Sequence, residues 1–192
     1  MTRLCLKVSM LVAALALSAS TALASPITYQ VSRTILAGSV VGSITTDGTI
    51  GSLGTANIVN WSLTLNDGVT PFNLLGPTSG NNSGVLVSGL GFTSTATGLF
   101  FDYSGGGFVL FQNPNTGSGI NFWCLDGSGG CASHPSSDVV TTAGAFGAVS
   151  AVRSGNQQVA GTGLAAVPEP ASLVLLGIGL VGVARMRIVR KR

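Results

Sequence analysis

Charge is scarce in this chain: Asp, Glu, Lys and Arg make up 8% of its 192 residues, against about 25% in an average soluble protein. Basic side chains are nearly missing from its middle. Between residues 25 and 167 only Arg33 and Arg153 are basic, against Asp47, Asp67, Asp102, Asp126 and Asp138. The balance there is 2 − 5 = −3, which excludes nucleic-acid binding, because that needs a basic face to neutralise phosphates. The formal charge of +3 for the whole chain belongs to its ends.

The shortages continue through the residue types that do chemistry. Histidine occurs once, as His134, and a lone histidine does not complete a tetrahedral zinc set. No G-x-S-x-G elbow and no D-x-D-x-D-G run occurs, which removes the common hydrolase turn and the EF-hand calcium loop. A triad built on His134 and Asp138 would have to be recognised by geometry; beside Pro135, His134 reads as a surface loop residue. The aspartates are single and mostly in turns, so a calcium site would have to be split, as in a lectin-like sandwich. No cofactor is expected. Aromatics are few, at 6%, yet the chain is too rich in Val, Ile and Leu for a disordered protein.

The abundant residues are glycine, 28 in all, with serine and threonine. They suit β-structure with many turns and disfavour helices. Val59, Trp61, Leu63 and Leu65 alternate with Asn60, Ser62, Thr64 and Asn66, the period of a strand with one buried face. Asn66-Asp67-Gly68 ends it, and Asp47-Gly48 and Asp126-Gly127 are further turn signals. Other strands are expected at 28–34, 39–45, 84–87, 99–103, 108–112 and 120–125. The fold class is all-β, an antiparallel β-sandwich with the jelly roll as one form. Phe100, Phe101, Tyr103, Phe108, Phe111, Phe122 and Trp123 read first as core, with a sugar-stacking platform as the alternative.

Both ends are of a different kind. Arg3 and Lys7 precede an apolar stretch over residues 8–17, and Ala22-Leu23-Ala24 supplies small residues before a cut at Ser25. This order is that of a cleavable signal peptide, residues 1–24, and its apolar helix is short for a retained anchor. Export removes Cys5 with the leader and leaves Cys124 and Cys131 in an oxidising compartment, where a disulfide is expected. At the other end, Val167-Pro168-Glu169-Pro170 leads into an uncharged run from Ala171 to Ala184, closed by Arg185, Arg187, Arg190, Lys191 and Arg192. At 1.5 Å per residue that run covers about 21 Å. It crosses a hydrocarbon layer of about 30 Å only if Arg185 and Arg187 snorkel. The basic cluster stays cytoplasmic, which puts the β-domain outside. Pro168 and Pro170 force the residues before them into extended geometry, a shape that a membrane protease can grip along the backbone; a plain tail anchor is the other reading. Gly177 to Gly182 spells G-x-G-x-x-G, but without a βαβ context it is a small-residue membrane pattern.

Pro168, Glu169 and Pro170, the short Leu/Gly/Val-rich segment and the terminal arginines together resemble the PEP-CTERM sorting signal of Gram-negative bacteria. The resemblance covers about residues 167–192, and the segment 168–192 forms a third region after the leader and the β-domain of 25–167. It implies that exosortase, an integral-membrane enzyme, is the processing partner. It also implies an intermediate held in the inner membrane with the domain in the periplasm, then passage to the cell surface or extracellular matrix. The role expected of the domain is non-enzymatic, structural or adhesive in an exopolysaccharide layer. A lectin-like carbohydrate-binding module is the alternative, and a secreted hydrolase, which needs paired carboxylates or a triad, a further one.

Overall fold

The computed structural model describes residues 24–131, 135–142 and 148–163. The expected signal helix and C-terminal membrane helix lie outside the described residues, as do Ala22, His134, Pro168, Glu169, Pro170, Arg185 and Arg187. Among the described residues no helix is long and apolar enough to cross a membrane.

The described chain is all-β and antiparallel. Its strands are β1 (Ile27–Ile35), β2 (Gly38–Thr46), β3 (Gly51–Ser52), β4 (Ile58–Asn66), β5 (Pro71–Leu75), β6 (Gly84–Ser88) and β7 (Phe92–Ser94). There follow β8 (Gly98–Asp102), β9 (Phe108–Asn113), β10 (Asn121–Asp126), β11 (Ser137–Thr141), β12 (Val149–Val152) and β13 (Asn156–Gly161). They form a sheet of order β3-β7-β8-β13-β1-β2-β4-β5 and a second of order β12-β11-β10-β9-β6. Sheets of eight and five strands differ from the eight-stranded double sheet of a jelly roll. The seven strands expected from the sequence are present within a residue or two at each end.

Period-two alternation explains which side chains face inward. In β4, Trp61, Leu63 and Leu65 are buried while Ser62 and Thr64 face solvent. Val59 departs from its expected inward place and is exposed. In the β2–β4 ladder Thr45 opposes Asn60 but Thr46 opposes Ile58. That bulge shifts the phase, and Ile58 is buried instead. The strands that the sequence did not signal lack alternation or length: β11 is buried at all five positions, and β3 and β7 are two and three residues long. Asp138, expected in a loop or turn, therefore stands inside β11.

The core is an aromatic ladder between the sheets. Trp61 of β4 meets Phe111 of β9 edge-on at 5.6 Å, and Phe111 stacks on Trp123 of β10 at 5.6 Å. Phe101 and Tyr103 meet edge to face at 4.8 Å. Such pairs add to plain area burial. The Trp61 indole N–H donates to Ser83 Oγ at 2.9 Å, so the ring's polar edge is satisfied.

Strand β11 runs across the ends of β1, β2 and β4. Asp138 bonds Arg33 of β1, Val140 lies against Gly38 of β2, and the Thr142 N–H donates to Asp67 beyond β4. The chain enters and leaves the sandwich at one end. β1 starts at Ile27 opposite Thr46, β13 finishes at Gly161 opposite Gln30, and the Thr162 N–H donates to the Thr97 carbonyl. The β1–β2 turn at Leu36–Ala37 occupies the opposite end.

Gly42 in β2 has φ +143°, and a Cβ there would collide with the Ser62 carbonyl oxygen of β4. Gly42→Ala should destabilise the domain by more than about 2 kcal/mol. A urea melt of the oxidised protein checks this, with the loss expected in the midpoint and not in the slope.

Candidate functional site

Arginine 33 occupies a split in the larger sheet. β1 pairs with β13 only at Gln30–Gly161 and Val31–Ala160, and a register shift lies between Gln158 and Ala160. Beyond that point the Arg33 side chain replaces the ladder. Its Nη1 donates to the Gln158 carbonyl at 3.1 Å, and its Nη2 to the Tyr103 hydroxyl at 3.1 Å. Nε and Nη2 both donate to Asp138 Oδ2, at 3.0 and 2.7 Å. Asp138 Oδ1 accepts from the Trp123 indole N–H at 2.8 Å.

The domain's second cation comes to the same carboxylate. Arg153 Nη2 lies 3.8 Å from Asp138 Oδ2 and donates to the Thr34 carbonyl at 2.7 Å. Side-chain exposure is 0% for Asp138, 11% for Arg33 and 25% for Arg153, so this is a buried cluster and not a surface ion pair. Burial, followed by the charge of Asp138, pushes the Tyr103 phenol above its usual 10, and the two arginines only partly oppose it. Tyr103 thus stays a neutral phenol. With its oxygens already bonded to Arg33 and Trp123, Asp138 works as a clamp between the sheets. A shallow polar cleft of about 280 Å³, lined by Gln30, Ser32, Arg33 and Gln158 among others, lies at the split.

Cys124 and Cys131 are bonded, with Cα atoms 6.3 Å apart. Asp126, expected in a turn with Gly127, ends β10 and is fully buried. Its Oδ1 accepts from the N–H groups of Ser128, Gly129 and Gly130 at 2.8, 2.7 and 3.1 Å, and Oδ2 from that of Cys131 at 2.9 Å. Ligand atoms of Cys124, Asp126 and Cys131 lie within 4.8 Å of one another. The sulfurs are joined to each other and the carboxylate is filled with N–H donors, so this trio closes a loop and does not offer a metal site.

That loop walls a groove of about 340 Å³ on the outer face of the smaller sheet, lined by Leu86, Phe108, Leu110, Thr116, Phe122 and Cys131 among others. The aromatics weighed from sequence divide here. Phe101, Tyr103, Phe111 and Trp123 belong to the core, Phe100 is half-buried on β8, and Phe108 and Phe122 line the groove half-exposed.

The remaining aspartates serve turns. Asp47 accepts from the Thr49 N–H and the Asn57 amide, both at 2.9 Å, and the Asn57 bond leads in holding its carboxyl below 3.8. Asp67 accepts from the N–H groups of Val69 and Thr142 at 3.0 and 3.2 Å. Burial acts to raise its carboxyl, but these bonds outweigh it and the net shift is below 3.8. Asp102 accepts from the Ser104 N–H at 2.9 Å. Sequence reasoning missed the Asp138 cluster. The available signal was the scarcity itself: two cations among strands of apolar residues require a buried partner.

The model of the PEP-CTERM protein-sorting motif matches residues 166–191. No curated protein and no solved structure matches the chain.

Asp138→Ala leaves Arg33 buried without its counter-ion and should cost about 3–5 kcal/mol. Adding Arg33→Met should recover a large part of it, measured as a double-mutant cycle by chemical denaturation. Asp67 has a lowered folded-state pKa, so its contribution is present above its unfolded value of 3.8 and is lost as pH falls below it. The stability gap between wild type and Asp67→Asn should therefore be open at pH 6 and narrow steadily below pH 4 in thermal melts.

Proposed function

We propose, from the premise that this chain carries a PEP-CTERM protein-sorting motif and is therefore exported and sorted by exosortase through a membrane-anchored intermediate, that its β-domain is non-enzymatic cargo. The domain is delivered to the cell surface or matrix, where it acts as a structural or adhesive component of an exopolysaccharide layer. The observation that carries this reading is the commitment of the domain's charged side chains, among the described residues, to its own turns and strands.

The fate of the charged side chains supports a non-catalytic role. Asp47, Asp67, Asp102, Asp126 and Asp138 are all engaged by protein donors. Arg33 and Arg153 converge on Asp138. A general acid or base needs a free, suitably poised proton site, and these groups are committed to holding turns and strands.

A second reading, a lectin-like module, is favoured by one observation. Phe108 and Phe122 are both half-exposed in the groove of about 340 Å³, four register positions apart with Leu110 between them. Among the described residues the lining carries no charge, which suits stacking against a neutral sugar ring.

Intact-mass analysis of protein recovered from a host with exosortase tests the sorting step. Wild type should end near Pro168–Pro170, whereas Pro168→Ala with Pro170→Ala should retain Arg192 and stay in the membrane fraction. A wild-type chain that still ends at Arg192 would count against processing. Phe122→Ala should weaken retention on the host's exopolysaccharide roughly tenfold, while Phe122→Leu, which keeps the packing on Leu110 but removes the ring, should weaken it similarly with the fold retained; unchanged retention in both would remove the lectin-like reading.

A further inference from the structure

One carboxylate oxygen of the domain is left over from its turns and ladders. Asp47, Asp67, Asp126 and Asp138 each accept protein hydrogen bonds on both oxygens. Asp102 accepts on Oδ1 alone, from the Ser104 N–H at 2.9 Å, and among the described residues its Oδ2 has no donor. Asp102 is half-buried and lines a pocket of about 310 Å³ with Leu90, Gly91, Thr93, Gly105 and Asn156. Small-molecule sites run from about 300 to 1,000 Å³, so this one holds a single small ligand.

The ladders of the larger sheet set the pocket. Asn156 of β13 pairs with Asp102 of β8, and the Asp102 N–H donates to the Gly91 carbonyl at 2.9 Å. Gly91, Asp102 and Asn156 therefore form one row across the sheet. Thr93 of β7 stands in the next row of the same face, opposite Phe100. The turn after β8 is tied back to both strands: the Gly105 N–H donates to the Asp102 carbonyl at 3.2 Å, and the Tyr103 N–H to the Gly155 carbonyl at 3.0 Å. Two glycines keep the space open. A Cβ at Gly105 would come within 2.8 Å of Asp102 Oδ2, and one at Gly91 within 3.1 Å of the Asp102 carbonyl oxygen.

The lining selects the ligand. Asp102 Oδ2 only accepts, while the Thr93 hydroxyl and the Asn156 amide both donate and accept. A ligand that fills these places has to bring several hydroxyl groups. Leu90, 78% exposed, adds an apolar wall for C–H groups. One carboxylate falls short of the 6–8 oxygen ligands that calcium takes, and its charge repels an acidic sugar. We infer that this pocket binds one residue of a neutral sugar, whose hydroxyls donate to Asp102 Oδ2 and bond Thr93 and Asn156 while its C–H face rests on Leu90. The pocket belongs to the larger sheet and the groove at Phe108 and Phe122 to the smaller one. The inference depends on neither the sorting reading nor the groove reading.

The test titrates the full oxidised chain, held in a detergent without sugar groups, with the methyl glycosides of glucose, galactose and mannose, read by saturation-transfer NMR. At least one should bind in roughly the millimolar range, the scale of a small ligand with few contacts. Asp102→Asn keeps an acceptor for the Ser104 N–H and should weaken binding roughly tenfold with unchanged melting temperature. Gly105 lies outside the positive-φ region, so Gly105→Ala crowds the free oxygen without backbone strain and should weaken binding as well. Asn156→Ala, at an exposed side chain, should lower affinity severalfold, and Phe122→Leu should bind as wild type does. No binding of any of the three glycosides overturns the proposal, as does equal binding by wild type, Asp102→Asn and Asn156→Ala. Binding that appears only with added calcium, tighter binding of glucuronate than of the neutral glycosides, or loss of binding in Phe122→Leu would equally overturn it.

Discussion

A single buried carboxylate holds the two sheets in register. Asp138 has no exposed surface, and its oxygens accept from Arg33 on β1 and Trp123 on β10, with Arg153 following β12 close by. Those partners come from both sheets and from strands far apart in sequence, so the cluster forms only when the sandwich closes. Burying a charge is costly unless it is paired and hydrogen-bonded. The cost enforces one arrangement: any slip of β11 by one residue would turn Asp138 outward and leave Arg33 in the sheet without its counter-ion. The split between β1 and β13 follows from the same constraint, since a guanidinium stands where ladder bonds would otherwise run.

The rest of the polar structure repeats this economy on a local scale. With few charges available, each aspartate organises a stretch of backbone. Asp126 gathers four consecutive N–H groups of the loop that ends at Cys131, and the disulfide then closes the same loop covalently. A bridge across so small a loop contributes roughly 2–3 kcal/mol in the chain-entropy view. It acts on a segment whose folded shape Asp126 already selects. Asp47 and Asp67 do likewise for the turns after β2 and β4. The outcome is a domain in which the described ionised groups are structural.

That division bears on function. With its described ionised groups engaged in turns and strands, the domain suits the non-catalytic role proposed for it.

The amino-acid order by itself determined the class of the domain and the sorting motif at its C-terminal end. Alternation along β4, turn signals at Asp47-Gly48 and Asn66-Asp67-Gly68, and the paired cysteines are local patterns, and local patterns survive without knowledge of the fold. The sorting motif at residues 166–191 is equally local, because Pro168-Glu169-Pro170, an apolar run and a charge cluster follow one another in order. Tertiary structure alone decided the rest. It placed Asp138 inside β11 rather than in a loop, moved the buried phase from Val59 to Ile58 by a bulge, and put Phe108 and Phe122 in a groove while Phe111 and Trp123 went to the core. Each of these depends on which residues meet across more than sixty positions of chain, or on which face a register exposes. Neither quantity is written in the neighbours of a residue.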